Sequence, residues 1–323
     1  MQPQKIKNIL VVRNDRFGEF LLNIPALRAL RDTFPEAKIT GVVSREVAEL
    51  AKGLSFFDEI IPWKPGENRF FTQLQWGRTF RLKHIDLAVM LNPSREFNFI
   101  TFYAGIPIRV GYDRKCGFLL THRMTDKKHL GEKHEVEYNL ELLRLINAQT
   151  NDRSLEVRFG IHEEEAVVKE FALDDSRRCI ALHPWTSDPV KQWPVESFVR
   201  LAQSCARDKG ARVIVVGKEK ESEVGKKRFQ GLAENITDLT NKTTLRELAV
   251  LLGKCAVLIS CDSGPVHLAC AVKTPVVALF RDDIPGKSAR RWGPWQNRST
   301  VIARTPLSDI SVEEVVRKTK ELL

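Results

Sequence analysis

Apolar residues in this chain gather into short runs, separated by stretches of helical periodicity, and the alternation continues from one end to the other. Asn8–Arg13 (NILVVR) reads as a first buried strand. After a polar loop, the segment 20–34 sets Leu21, Leu22, Ile24, Leu27 and Leu30 at helical spacing, which predicts one helix. A strand over 38–43, a short helix over 47–52 and a strand over 59–62 follow. A helix over 70–82, a strand over 86–91, a helix near 95–104 and a strand over 108–111 continue the series. An amphipathic helix over 135–147 closes it.

Residues 149–178 are polar, with a helix predicted over 163–171, and read as a connection. A second series begins with a strand over 179–183, a helix over 195–208, a strand over 212–216 and helices over 222–233 and 245–252. Val257–Ile259 then runs into Asp262-Ser263-Gly264, Pro265 opens a helix, and Lys273-Thr274-Pro275 leads to the buried strand 276–280. The last helix spans 310–323. Strands alternating with helices predict parallel, doubly wound sheets, so the fold class is α/β with two Rossmann-like halves facing across a cleft. Length supports two domains, 1–155 and 156–323. The terminal helix either stays with the second half or packs back on the first.

Composition narrows the function. Apolar residues make up 43% and charged residues 28%, as in a globular protein. No apolar run approaches the roughly 20 residues of a membrane-spanning helix. The opening MQPQKIKNILVVRND has too short an apolar stretch for a signal peptide, so a cytoplasmic location is expected. The six cysteines show no metal-ligand spacing and read as reduced thiols. A net charge of +10, spread over both halves, is too diffuse for a nucleic-acid site. It fits an acidic substrate or transient contact with an anionic membrane surface, for which Lys127, Lys128, Lys83 and Arg81 are candidates; a solvated charged face is the alternative.

Candidate chemistry lies at strand ends. A strand, a tight polar turn and a proline-led helix at Asp262-Ser263-Gly264-Pro265 offer backbone N–H groups and a helix dipole to an anion such as a diphosphate. His267, one turn inside that helix, is either a ligand contact or a packed core residue. In the first loop, Arg13-Asn14-Asp15-Arg16-Phe17-Gly18-Glu19, Glu19 is an acid at the cleft mouth or a helix cap. Thr186, Ser187 and Lys191 lie in the loop 183–194, where they hold a phosphate or decorate a surface loop anchored by Trp185 and Trp193. Glu219 stands where ribose hydroxyls would be met, and Thr243 where a base would border, although capping also explains Thr243 or Thr244. No GxGxxG is present, Asp282-Asp283 lacks supporting ligands, and neither cofactor nor metal is expected.

In order and spacing, these segments resemble the bacterial heptosyltransferases of glycosyltransferase family 9 over nearly the whole chain. The resemblance rests on Gly18-Glu19-Phe20-Leu21-Leu22 with Pro25-Ala26-Leu27-Arg28, on Ala104-Gly105-Ile106-Pro107 with Arg109-Val110-Gly111-Tyr112, and on His134-Glu135-Val136-Glu137. Lys191-Gln192-Trp193-Pro194, Lys242-Thr243-Thr244-Leu245 and Asp262 through Ala269 complete it. The resemblance implies a GT-B fold, with the acceptor on the first domain and the nucleotide sugar on the second. It also implies metal-independent, inverting transfer of a heptose from ADP-heptose to the lipopolysaccharide inner core, a lipid-linked acceptor at the cytoplasmic face of the inner membrane. Donor roles carry over to Lys191, Asp262, Ser263, Gly264 and His267, and further to Thr186, Ser187 and Glu219. The family's aspartate after the glycine is Glu19 here, with Asp15 as the reserve base, and its donor-turn threonine is Ser263. Transfer of another nucleotide sugar, or sugar-nucleotide binding without catalysis, are the alternatives.

Overall fold

The computed structural model describes residues 6–64, 70–173, 177–218 and 227–323. The chain divides after Ser154 into two compact units. In the first, strands and helices alternate as β1 (Asn8–Arg13), α1 (Phe17–Leu21), α2 (Ile24–Thr33), β2 (Lys38–Ser44), α3 (Arg45–Lys52) and β3 (Glu59–Trp63). They continue as α4 (Phe70–Leu82), β4 (Leu87–Met90), α5 (Arg95–Tyr103), β5 (Ile108–Tyr112), β6 (His122–Met124) and α6 (Glu135–Arg144). The second unit holds α7 (Ile161–Glu170), β7 (Arg178–His183), α8 (Val195–Ala206), β8 (Ala211–Val215), β9 (Ile236–Asp238), α9 (Leu245–Gly253) and β10 (Val257–Cys261). It ends with α10 (Gly264–Ala271), β11 (Val276–Phe280), α11 (Ala289–Trp292), β12 (Ser299–Ala303) and α12 (Val312–Leu322).

Every strand pair is parallel. The sheet orders are β3-β2-β1-β4-β5-β6 and β12-β11-β10-β7-β8-β9, which are the same doubly wound order in each unit. The central strands read as continuous apolar runs because helices cover both faces of the sheet. β10 and β11 are buried at every position, and β1 from Ile9 onward. Strand order reverses between β1 and β4 and again between β7 and β10. Chains leaving those neighbours diverge, and a crevice opens at their C-terminal ends.

Several expectations change with the tertiary structure. The helix expected over 20–34 is two helices. Pro25 falls in the first turn of α2, where its missing N–H costs nothing, and so α1 ends at Leu21. The edge strands β6, β9 and β12 have no strand signature in the sequence, being short and only half-buried. Of the helix expected over 222–233, residues 222–226 lie outside the described residues and 227–233 form turns. The terminal helix buries Val315 and Leu322 in the second unit's own core, against α8 and β10–β12. Lys128, a candidate for lipid contact or for a solvated charged face, is buried instead. Its Nζ lies 2.5 Å from Glu135 Oε1, 3.1 Å from Asn139 Oδ1 and 4.3 Å from the centre of the Tyr112 ring. Lys83 is paired with Glu59 at 2.6 Å, and Arg81 donates to the carbonyl of Tyr103 at 2.5 Å.

Candidate active site

In the second unit the site forms where β7 and β10 diverge. Ser263 precedes α10 in extended conformation, and its side chain does not cap the helix. The hydroxyl turns inward instead, 3.1 Å from His183 Nδ1 and 2.9 Å from Ser260 Oγ, and donates to the Cys261 carbonyl at 3.1 Å. The first-turn amides of α10 thus have no side-chain cap, at the positive end of the helix dipole. Beside them Asp262 pairs with Lys191 at 2.5 Å across the crevice. Burial pushes the Asp262 carboxyl above its usual range, and Lys191 opposes that shift.

Loops from the neighbouring strands converge on this turn. Trp193 is fully buried, donates from Nε1 to the Ile310 carbonyl at 3.0 Å and meets Phe198 edge-on, so it anchors the far end of the loop after β7. Trp185 bridges to Thr240 at 3.3 Å. Between the two tryptophans, Thr186 accepts the Asp188 amide at 3.2 Å, Ser187 is exposed, and Asp188 caps the short turn Pro189–Lys191. Gly217, with φ of +109°, lies so close to His183 that a Cβ there would come within 2.4 Å of its ring, and only glycine fits. Its carbonyl accepts the Asn241 amide at 2.8 Å, which draws the loops after β8 and β9 together. Thr244 forms the capping box of α9 with Glu247, so Thr243 is not the cap. His267 is buried on α10. Glu219 lies outside the described residues.

The first unit places its acids at the equivalent crevice. Arg13, nearly fully buried at the end of β1, donates to the Leu91 carbonyl after β4 at 3.0 Å and pairs with Asp15 at 2.7 Å. Asp15, Glu19 and Glu135 all favour its charged form. Glu19 lies in the first turn of α1, half-buried. Burial first, and then the charge of Asp15, raise its proton affinity above the ordinary glutamate value, while Arg13 works against them. Asp15 is committed to Arg13, whereas Glu19 has its proton affinity raised by burial. Sequence reading found Glu19 and Asp15 but not the charges behind them, Arg13, Lys128 and Glu135. It also missed His183, Ser260, Asp188 and Lys287, whose Nζ lies 3.3 Å from Asp188. Only the placement of His183 and Asp188 at a strand end hinted at a role.

Two Rossmann-type units, each with polar groups at its strand-order reversal, define a GT-B class α/β protein. The model of glycosyltransferase family 9 (heptosyltransferase) matches residues 74–319. Lipopolysaccharide heptosyltransferase 2 of Escherichia coli (strain K12) is 26% identical over 293 residues, covering 86% of this chain and 83% of that protein. Lipooligosaccharide heptosyltransferase 2 of Haemophilus influenzae is 24% identical over 310 residues, covering 91% and 88%. The crystal structure of a family 9 glycosyltransferase from Veillonella parvula superposes with a TM-score of 0.84 at 22% identity, covering 98% and 97%. E. coli ADP-heptose LPS heptosyltransferase II superposes at 0.82 with 24% identity, covering 98% of each chain. The chain belongs to glycosyltransferase family 9 and is a glycosyltransferase of the heptosyltransferase type. The Asp262–Pro265 turn lies within the matched stretch, and Glu19 lies ahead of it.

His183 carries a testable consequence. Burial lowers its pKa from 6.5 to about 4, so the folded protein keeps it neutral. Below pH 6.5 the unfolded chain binds a proton that folded His183 refuses until about pH 4. The stability it contributes is therefore complete above 6.5 and lost across that window, amounting to about 3 kcal/mol. Urea unfolding between pH 7 and pH 4 should show this slope, and His183→Asn should flatten it.

Proposed function

We propose that the protein transfers a heptose from ADP-heptose to the inner core of lipopolysaccharide, inverting the anomeric centre without a metal ion. The observation that carries this reading is the Lys191–Asp262 pair beside the uncapped start of α10 at a strand-order reversal, in a chain of this family. The similarity to lipopolysaccharide heptosyltransferases supports the sugar and acceptor, and the likeness to E. coli ADP-heptose LPS heptosyltransferase II supports the donor.

The displacement takes place in one step. The acceptor hydroxyl attacks C1 of the sugar, its proton passes to the Glu19 carboxylate, and the C1–O bond to the diphosphate breaks with its electron pair leaving on ADP. Glu19 suits the role because burial and the neighbouring charge of Asp15 raise its proton affinity, which makes its carboxylate a better base than that of an exposed glutamate. Lys191 and the α10 amides, joined by the Ser263 and Gly264 backbone, stabilise charge growing on the departing diphosphate. In this reading Thr186, Ser187 and His267 serve the same seat and Thr243 the base, while Glu219, the sequence candidate for the ribose, lies outside the described residues.

A lipid-linked acceptor also calls for a membrane-facing surface, and the outer face of α4 and α5 supplies one. Phe71 is 81% exposed and Leu82 78% exposed on the same stripe of α4 as Arg78, and α4 contains no acidic residue. Phe102 and Phe118 are exposed nearby, with Arg109 stacked over Phe102. Apolar rings beside arginines suit an anionic lipid interface. No helix among the described residues is long and apolar enough to cross a membrane.

Three measurements test these assignments. Glu19→Gln should lower kcat by roughly 10²-fold or more while ADP still binds; near-wild-type turnover would remove Glu19 as the base. Among ADP-, UDP-, GDP- and dTDP-sugars, ADP-heptose should raise thermal stability most, by about 2.7 kcal/mol at a hundred times its Kd. A larger shift with a UDP-sugar would overturn the donor while leaving the family intact. Wild-type protein should co-sediment with phosphatidylglycerol vesicles, and the Phe71→Ser, Leu82→Ser double variant several-fold less; equal sedimentation would dismiss this face.

A further inference from the structure

Four charges alternate around the donor turn, supplied by the loops after β7, β10 and β11. Asp262 holds Lys191, and Asp188 holds Lys287. The two pairs differ in kind. Lys191 and Asp262 have side chains only 18% and 9% exposed and sit 2.5 Å apart. Lys287 and Asp188 are 45% and 33% exposed and 3.3 Å apart. Breaking the first pair strands a buried charge, whereas the second exchanges its partner for water at little cost.

Asp188 does not depend on Lys287. Its Oδ1 accepts the Val190 amide at 3.2 Å and caps the turn that carries Lys191, while Oδ2 receives Lys287. The capping bond survives when the lysine leaves. The backbone under Lys287 is fixed. Gly286 is buried, and its carbonyl accepts Trp292 Nε1 at 3.0 Å and Arg291 at 3.2 Å, while the Lys287 amide donates to Ile284 at 2.9 Å. A flexible side chain on a pinned turn moves its charge without moving the loop.

The two pairs also sense each other. Asp262 responds to Lys191, Asp188 and Lys287, and Asp188 responds to both lysines. Unliganded, the four formal charges cancel. A diphosphate seated at α10 adds negative charge beside Asp262 and Asp188, and Lys191 is already held by Asp262. Lys287 is the nearby cation whose release is cheap.

We propose that Lys287 is a second cation of the donor seat, held by Asp188 and transferred to the diphosphate when the nucleotide binds. The proposal rests on the reading of the Asp262 turn as the diphosphate seat, and it adds a residue that no motif in the sequence marks. Asp188 acts as the resting place that keeps this lysine from folding onto Asp262.

Calorimetric titration of the full chain with ADP, and with adenosine as the phosphate-free probe, tests it. Lys287→Ala should weaken ADP binding roughly five- to tenfold and reduce its dependence on salt, with adenosine binding unchanged. Lys287→Arg should restore most of the affinity. Asp188→Asn, which keeps a capping side chain but loses the charge, should bind ADP at least as tightly as the wild type. Unchanged ADP affinity in Lys287→Ala, or a parallel loss of ADP and adenosine, would overturn the proposal, as would marked weakening in Asp188→Asn. A wild-type protein that binds UDP and not ADP would refute the donor assignment alone. The same comparison with UDP and uridine would then decide the role of Lys287.

Discussion

Each unit is built around a parallel sheet in which two central neighbours send their chains to opposite edges. At the C-terminal ends of those strands no crossover covers the gap, and polar side chains gather there. That constraint decides where chemistry can sit. Arg13 to Glu19 occupy it between β1 and β4, and the loops carrying Lys191 and Asp262 occupy it between β7 and β10.

Charges in such gaps are stable only when other charges or dipoles meet them. Arg13 is buried and needs both Asp15 and the Leu91 carbonyl; farther back Lys128 is enclosed by Glu135, Asn139 and the Tyr112 ring. These groups form a fixed electrostatic background against which Glu19 is half-desolvated, and that background sets its proton affinity. In the second unit the neutral His183 does comparable work without charge. Its Nδ1 is shared by Ser260 and Ser263, which turns the Ser263 hydroxyl away from α10 and leaves the helix start open to an anion. Where the family resemblance places a threonine, Ser263 keeps a hydroxyl, and here that hydroxyl points inward.

Much of this was legible from residue order. The apolar runs of β1, β7, β10 and β11 are continuous because they are central strands, and the Asp-Ser-Gly-Pro turn announces a helix start by itself. The edge strands β6, β9 and β12 were illegible, unlike β3, since they are half-exposed and need no apolar pattern. Lys128 misled because two adjacent lysines look like a solvated pair, and only the tertiary fold buries one beside Glu135. Lys287 carried no signal at all, for its partner Asp188 is remote in sequence.

By itself, then, the sequence determined the alternation of strands and helices, the proline-led helix after Asp262 and the presence of a carboxylate after Gly18. Those are local matters, settled by side-chain periodicity and by the backbone limits of proline and glycine. The tertiary structure alone decided which carboxylate is committed to Arg13 and which has its proton affinity raised by burial. It also decided which lysine is locked and which is loosely held, and why Ser263 does not cap. Those outcomes depend on groups as far apart as His183 and Ser260, 77 residues away, becoming neighbours on two adjacent central strands. Burial and Coulomb energy act through distance in space, which strand order fixes and local sequence does not.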